Sequence, residues 1–177
     1  MTDVLFGPAQ ISIEFAVPGR PVSQGSHTPY VRMLFVAVKS RLRCPRCKVP
    51  LRASCGVKDE TVGLDEWRTA VGLVAGTKMR GISLMHGSLL ASMDFVVARP
   101  KDHYRTGRYA HLLKPDAPAY PNVKPDLSKL LRAAEDAMTG VVWVDDAQVV
   151  EYGLLRKRYA DEPGDQPGVR IVVTQIA

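Results

Sequence analysis

Three aspartates are the residues of this chain best placed to do chemistry. Asp126 follows a proline and opens an apolar-periodic run, Leu127 to Met138. Asp145 and Asp146 stand side by side just ahead of a second apolar stretch, Val149-Val150. Carboxylates brought together from two segments can hold Mg2+, which makes a water nucleophilic and neutralises charge on a phosphate. Mg2+ keeps several of its waters, so a few protein oxygens suffice. Each aspartate also has a plainer reading. Asp126 suits a helix N-cap, and Asp145-Asp146 suit a turn. The chemical reading gains from the basic residues that share the segment, Lys124, Lys129 and Arg132.

Charge points the same way. The 177 residues hold 24 Lys and Arg against 18 Asp and Glu, a net charge of +6. Such a balance favours polyanionic partners, nucleic acid above all. The length is enough for one domain with a core. No run approaches the roughly 18 apolar residues of a membrane span. The first residues, M-T-D-V-L-F-G-P, lack the basic start of a secretory leader. A cytosolic protein is expected.

The carboxylates need elements to position them. Ile11 to Val17 alternates as a strand and ends at Pro18-Gly19. Val31 to Val38 reads as a short strand. Leu64 to Arg80 reads as a helix, with Asp65 and Glu66 in its first turn, Lys78 and Arg80 in its last, and Gly81 beyond. Ser88 to Ala98 is apolar enough for a buried strand. Asp126 to Met138 is a second helix, burying Leu127, Leu130, Leu131, Ala134 and Met138 and leaving Asp126, Lys129, Arg132 and Asp136 opposite. Ala147 to Arg158 and Val169 to Ile176 read as strands. The turn-rich Asp161 to Gly168 between them predicts an antiparallel pair. The fold class is α+β: one domain over 1–177, a mixed β-sheet packed by two main helices, with a Cys-bearing insertion at 39–60.

The segment from Lys124 to Val150 resembles the signature of the RusA family of Holliday junction resolvases, especially its phage and prophage members. That family has an Asp-x-Asp-Asn-like motif opening a helix, a lysine on the next turn, and an Asp-Asp-x-Gln-Val strand start. The matches are Asp126, Arg132 at the lysine position, and D-D-A-Q-V at Asp145 to Val149. D-A-M-T-G at Asp136 to Gly140, P-G-R-P-V-S-Q-G and F-V-V-A-R-P add weaker likeness. The resemblance covers most of the chain outside roughly 31–60. It implies a homodimer that cuts paired strands at a four-way DNA junction with Mg2+ (or Mn2+). It further implies Asp126 and Asp146 as metal ligands, with Asp145 supporting. Two positions depart from the pattern. Ser128 stands where the family has its second aspartate, and Lys129 where it has asparagine. Three outcomes are open: fewer carboxylates, compensation by an acid such as Asp136, or a weak or inactive, branched-DNA-binding member. Arg132 suits charge stabilisation at the phosphate rather than proton donation.

Two more stretches carry expectations. Arg99 to Val123 is a long Pro-rich loop with Arg99, Lys101, Arg105, Arg108 and Lys114 among Tyr104 and Tyr109. Cations for phosphates and rings for stacking are the mix of a DNA contact. Lys129 and Arg20 join that set. Cys44, Cys47 and Cys55 lie within twelve positions, and C-P-R-C has zinc-ligand spacing. A Zn2+ site would need a fourth ligand, with His27, His86 or His103 as candidates. The alternative is three free thiols.

Overall fold

The structure, a computed structural model, describes residues 11–25, 28–35, 51–58 and 61–176, with only the backbone of 28–35 and 51–58. Two compact units emerge, one of residues 1–24 and 62–177, the other of residues 25–61. The smaller contains a hairpin of β2 (Thr28–Phe35) and β3 (Leu51–Lys58), paired antiparallel from Thr28↔Lys58 to Phe35↔Leu51. The stretch 39–60 reads as aperiodic in sequence, yet its second half is a strand. Cys55 lies on β3 opposite Val31. Cys44, Cys47 and His27 lie outside the described residues, and the zinc expectation with them.

The larger unit has a four-stranded sheet with helices on one face. Its strands are β1 (Ser12–Pro18), β4 (Leu89–Val97), β5 (Val149–Tyr159) and β6 (Gly168–Gln175). The order is β1-β6-β4-β5. β4 pairs antiparallel with β6 and parallel with β5. The expected β5–β6 antiparallel pair is therefore wrong: β4 lies between them. β4 is the most buried strand, with Leu89, Ala91, Met93 and Phe95 fully covered. It gains most from a central place. Alternation reveals that a segment is a strand but not which neighbour it takes. Parallel pairing of β4 and β5 demands a long crossover, and that crossover contains the second helix.

Helix α1 (Leu64–Lys78) buries Leu64, Trp67, Val71 and Ala75, at spacings of three and four. Helix α2 (Leu127–Met138) buries Leu130, Ala133, Ala134 and Met138. Arg68 of α1 and Asp136 of α2 form an ion pair. Both helices join the core with Trp143, Ile171 and the inner face of β4. Among the described residues no helix is long and apolar enough to cross a membrane.

One irregularity of β5 decides what faces α2. Ala91 pairs with Tyr152, but Met93 pairs with Leu155, so β5 carries an extra residue there. Tyr152 and Lys157 are five apart and would point to opposite faces of a regular strand. The bulge returns both to the face shared with Ala91 and Phe95. Leu154 donates its backbone N–H to Ser92 Oγ at 3.0 Å, which satisfies a group the ladder has lost. Gly153 lets Ser92 come so close, because a Cβ there would lie 2.8 Å from Oγ.

The opposite face of the sheet holds ion pairs instead of helices. Asp94 is 8% exposed. It accepts from Arg156 Nε at 2.9 Å and Arg158 Nε at 3.0 Å. Burial works against the charged carboxyl, but the two guanidinium groups outweigh it and hold Asp94 below the ordinary carboxylate range.

Candidate active site

The turn before β5 explains the spacing of its acids. Asp145 accepts from Ala147 N at 2.9 Å, and Gln148 Oε1 accepts from Val144 N at 2.9 Å and Asp145 N at 3.1 Å. The other end of Gln148 donates to the carbonyls of Met85 at 3.1 Å and Gly87 at 3.2 Å, at the entrance to β4. Asp145 and Gln148 thus lock a 3-10 turn, Asp146–Gln148, against the neighbouring strand. Asp146 is exposed and takes no part in the lock. The motif divides its labour: the first aspartate and the glutamine build, and the second is left free.

The charge of Asp146 is felt at the third turn of α2 and at Tyr152 on β5. Tyr152 Oη donates to Glu135 Oε1. Burial is the largest influence on the Glu135 carboxyl and pushes it up. The Tyr152 hydroxyl pulls it back, the negative charges of Asp146 and Asp136 raise it again, and Arg132 opposes them. The Tyr152 phenol is raised too, first by burial and then by the bond to Glu135. Asp146, Glu135, Tyr152 and Arg132 therefore share one electrostatic environment. Glu135 was not among the expected site residues. It stands next to Ala134 of the apolar stripe, and no motif in the sequence singles it out. Asp136, an example of an acid that could compensate at the site, is tied to Arg68.

Asp126 belongs to the other end of the helix. It is the N-cap by backbone geometry, but its side chain makes no capping bond. Its carboxylate lies 3.7 Å from Lys129 Nζ. Lys157 donates to the carbonyls of Val123 at 2.8 Å and Pro125 at 2.7 Å. Burial lowers the Lys157 ammonium, and the charge of Asp126 opposes that. Nine residues of helix, about 13 Å along the axis, separate Asp126 from Glu135. Ser128 is exposed, as is Arg132 one turn further on.

Could Mg2+ be held here? Among the described residues no three of His, Cys, Asp or Glu converge as a metal cage. A hydrated Mg2+ asks for less, one or two carboxylates with the remainder water. Asp146 and Glu135 offer hard oxygens of like charge in one environment, and the donor chemistry fits such an ion.

The basic residues divide. Arg99 departs from the expected DNA contact: its side chain is 3% exposed and paired with Asp161. Its Nη1 donates to Pro118 O at 2.9 Å, and its guanidinium lies over the Tyr159 ring at 4.0 Å. That arginine anchors the loop. Asp161 is correspondingly lowered, chiefly by the Arg99 bond. Lys101, Arg105, Arg108, Lys114 and Arg20 are exposed. Arg108 stacks over Tyr109 at 4.7 Å, and Arg105 Nε donates to Leu113 O at 3.2 Å. The long loop has structure of its own: two 3-10 turns and a bridge between Tyr104 and Leu113.

No curated protein matches the chain. The family model described as Endodeoxyribonuclease RusA matches residues 57–174, about two thirds of the chain, and spans α1, α2, the Asp145–Gln148 turn and β4 to β6. The chain belongs to the RusA family of endodeoxyribonucleases.

Proposed function

We propose that this protein is a Mg2+-dependent, structure-specific endonuclease that resolves Holliday junctions and other branched DNA as a homodimer. The observation that supports the reading most is the exposed Asp146 on a locked turn, whose charge raises the Glu135 carboxyl while Arg132 opposes it. Asp146 and Glu135 would hold the cation, and Tyr152 fixes the Glu135 carboxylate. When bound, Mg2+ supplies charge neutralisation at the phosphate and a more acidic water. Arg132, exposed and without an ion-pair partner among the described residues, donates to phosphate oxygens as charge builds on them. Asp126 with Lys129 forms a second point of contact at the start of α2. Lys101, Arg105, Arg108, Lys114 and Arg20 bind the backbone of the arms, which gives shape selectivity and a steep salt dependence. A two-fold dimer sets two such sites on opposing strands, as a junction with two-fold symmetry requires.

Ser128 supports a second reading, a branched-DNA-binding protein that cuts weakly or not at all. One experiment separates the two. The purified protein is incubated with a synthetic four-way junction, a fork and a linear duplex, with Mg2+ and with EDTA. Nicks in the junction that need Mg2+ support the nuclease. Junction binding without nicks supports the binding protein. Equal affinity for linear duplex and junction would falsify both.

A further inference from the structure

A cavity of about 740 Å3 opens where β4 and β5 end, beside the segment that leads into α2. That volume lies within the roughly 300–1,000 Å3 of sites that take small flat molecules. Its walls are largely apolar, with Pro18, Pro21, Val97, Pro100 and Pro121 among them. Arg20, Lys101 and Lys124 also line it, each exposed, and no acidic residue does. None of these three has an ion-pair partner among the described residues.

Tyr159 lines the same cavity and is 3% exposed. Its ring is clamped by the Arg99 guanidinium over one face and by the edge of His103, 5.5 Å away at 89°. Its hydroxyl is buried and has no hydrogen-bond partner among the described residues. Buried polar atoms in folded proteins almost always have a partner, and exceptions point to function. A phenol held rigid on an apolar wall, with a free donor and acceptor, suits a planar ligand with polar edges.

We propose that this cavity receives the base of one unpaired nucleotide, drawn out of the DNA next to the branch point. The prolines and Val97 enclose the flat faces of the base. Tyr159 Oη bonds to its polar edge, and Arg20, Lys101 and Lys124 hold the flanking phosphates. Extruding a base costs least where its pairing is already lost, so a pocket for one would register the protein on a branch point whose pairs have opened. The inference rests on the branched-DNA reading above and adds how the branch is located.

The test uses the full chain and four-way junctions carrying 2-aminopurine, either beside the branch or in mid-arm. Binding is followed in parallel by anisotropy of a dye at an arm end. The expected result is a severalfold rise in 2-aminopurine fluorescence beside the branch and none in mid-arm. Ala98→Trp, at an exposed residue lining the cavity, should remove the rise while junction affinity falls about tenfold or less. Tyr159→Phe should keep part of the rise. Should Ala98→Trp fail to fold, Val123→Trp blocks the same cavity from the other side. A junction that binds with no rise at the branch overturns this inference alone, as does a rise that survives either tryptophan. Failure of the native protein to bind the junction overturns the branched-DNA reading as well.

Discussion

The two ends of α2 hold acids in opposite company. At its start, Asp126 sits 3.7 Å from Lys129 and within the field of Lys157. Nine residues later, Glu135 is half-buried and raised by the charges of Asp146 and Asp136, with Arg132 as the cation that opposes them. A carboxylate among lysines is already compensated. Carboxylates crowded together repel, and a divalent ion relieves that repulsion.

The largest effect should come from the free acid. Asp146→Asn should slow junction nicking by about a hundredfold or more, roughly 3 kcal/mol of barrier, with junction affinity kept. Asp126→Asn should cost about tenfold or less. Mn2+ binding, followed by paramagnetic resonance, sharpens the contrast: it should be lost in Asp146→Asn and Glu135→Gln and kept in Asp126→Asn. Equal loss at both ends would erase the distinction.

A smaller effect falls on the scaffold. Gln148→Ala removes four hydrogen bonds that lock the turn. Urea denaturation should show about 2 kcal/mol less stability, with nicking reduced because Asp146 is no longer presented. Gly153→Ala sets a methyl against Ser92 Oγ and should cost about 1 kcal/mol. If that change leaves nicking intact, the bulge is not what aligns β5 with α2.

The smallest effect is in pH dependence, and its sign is set. The Glu135 carboxyl is raised in the folded state, so the folded chain holds that proton more tightly than the unfolded chain. Its contribution to stability is complete below the ordinary glutamate range and is lost as pH rises through the folded value. Glu135→Gln should flatten that decline in urea midpoints. Tyr152→Phe removes the hydroxyl that pulls Glu135 down, so its carboxyl carbon should titrate still higher by NMR. No change in that titration would detach Tyr152 from the cluster. Asp94 shows the opposite trend. Its carboxyl is lowered, and its contribution is lost only as pH falls through the folded value.

Much of this was legible in order along the chain. Alternation located β1, a nearly continuous apolar run located β4, and three-four spacing located α1 and α2, because burial leaves its pattern in the sequence. The D-D-A-Q-V motif was legible as a strand start with Asp145 in a supporting place, although not the part Gln148 plays in locking the turn. Arg99 looked like its basic neighbours, since nothing in the sequence reveals an ion pair to Asp161, sixty-two positions away. The resemblance implies Asp126 and Asp146 as metal ligands, but it does not reveal that Asp126 lies 3.7 Å from Lys129.

By itself the sequence determined the helices and sheet strands of the larger unit, the basic residues and the acids available for chemistry, because these depend on residue type and local period. Tertiary structure decided the rest. It set β4 between β5 and β6, slipped the register of β5 at two places, turned Tyr152 and Lys157 to the same face, and brought Glu135 within the field of Asp146. The physical reason is that strand partners and register follow from competition for burial across the whole sheet, and no local pattern records the outcome.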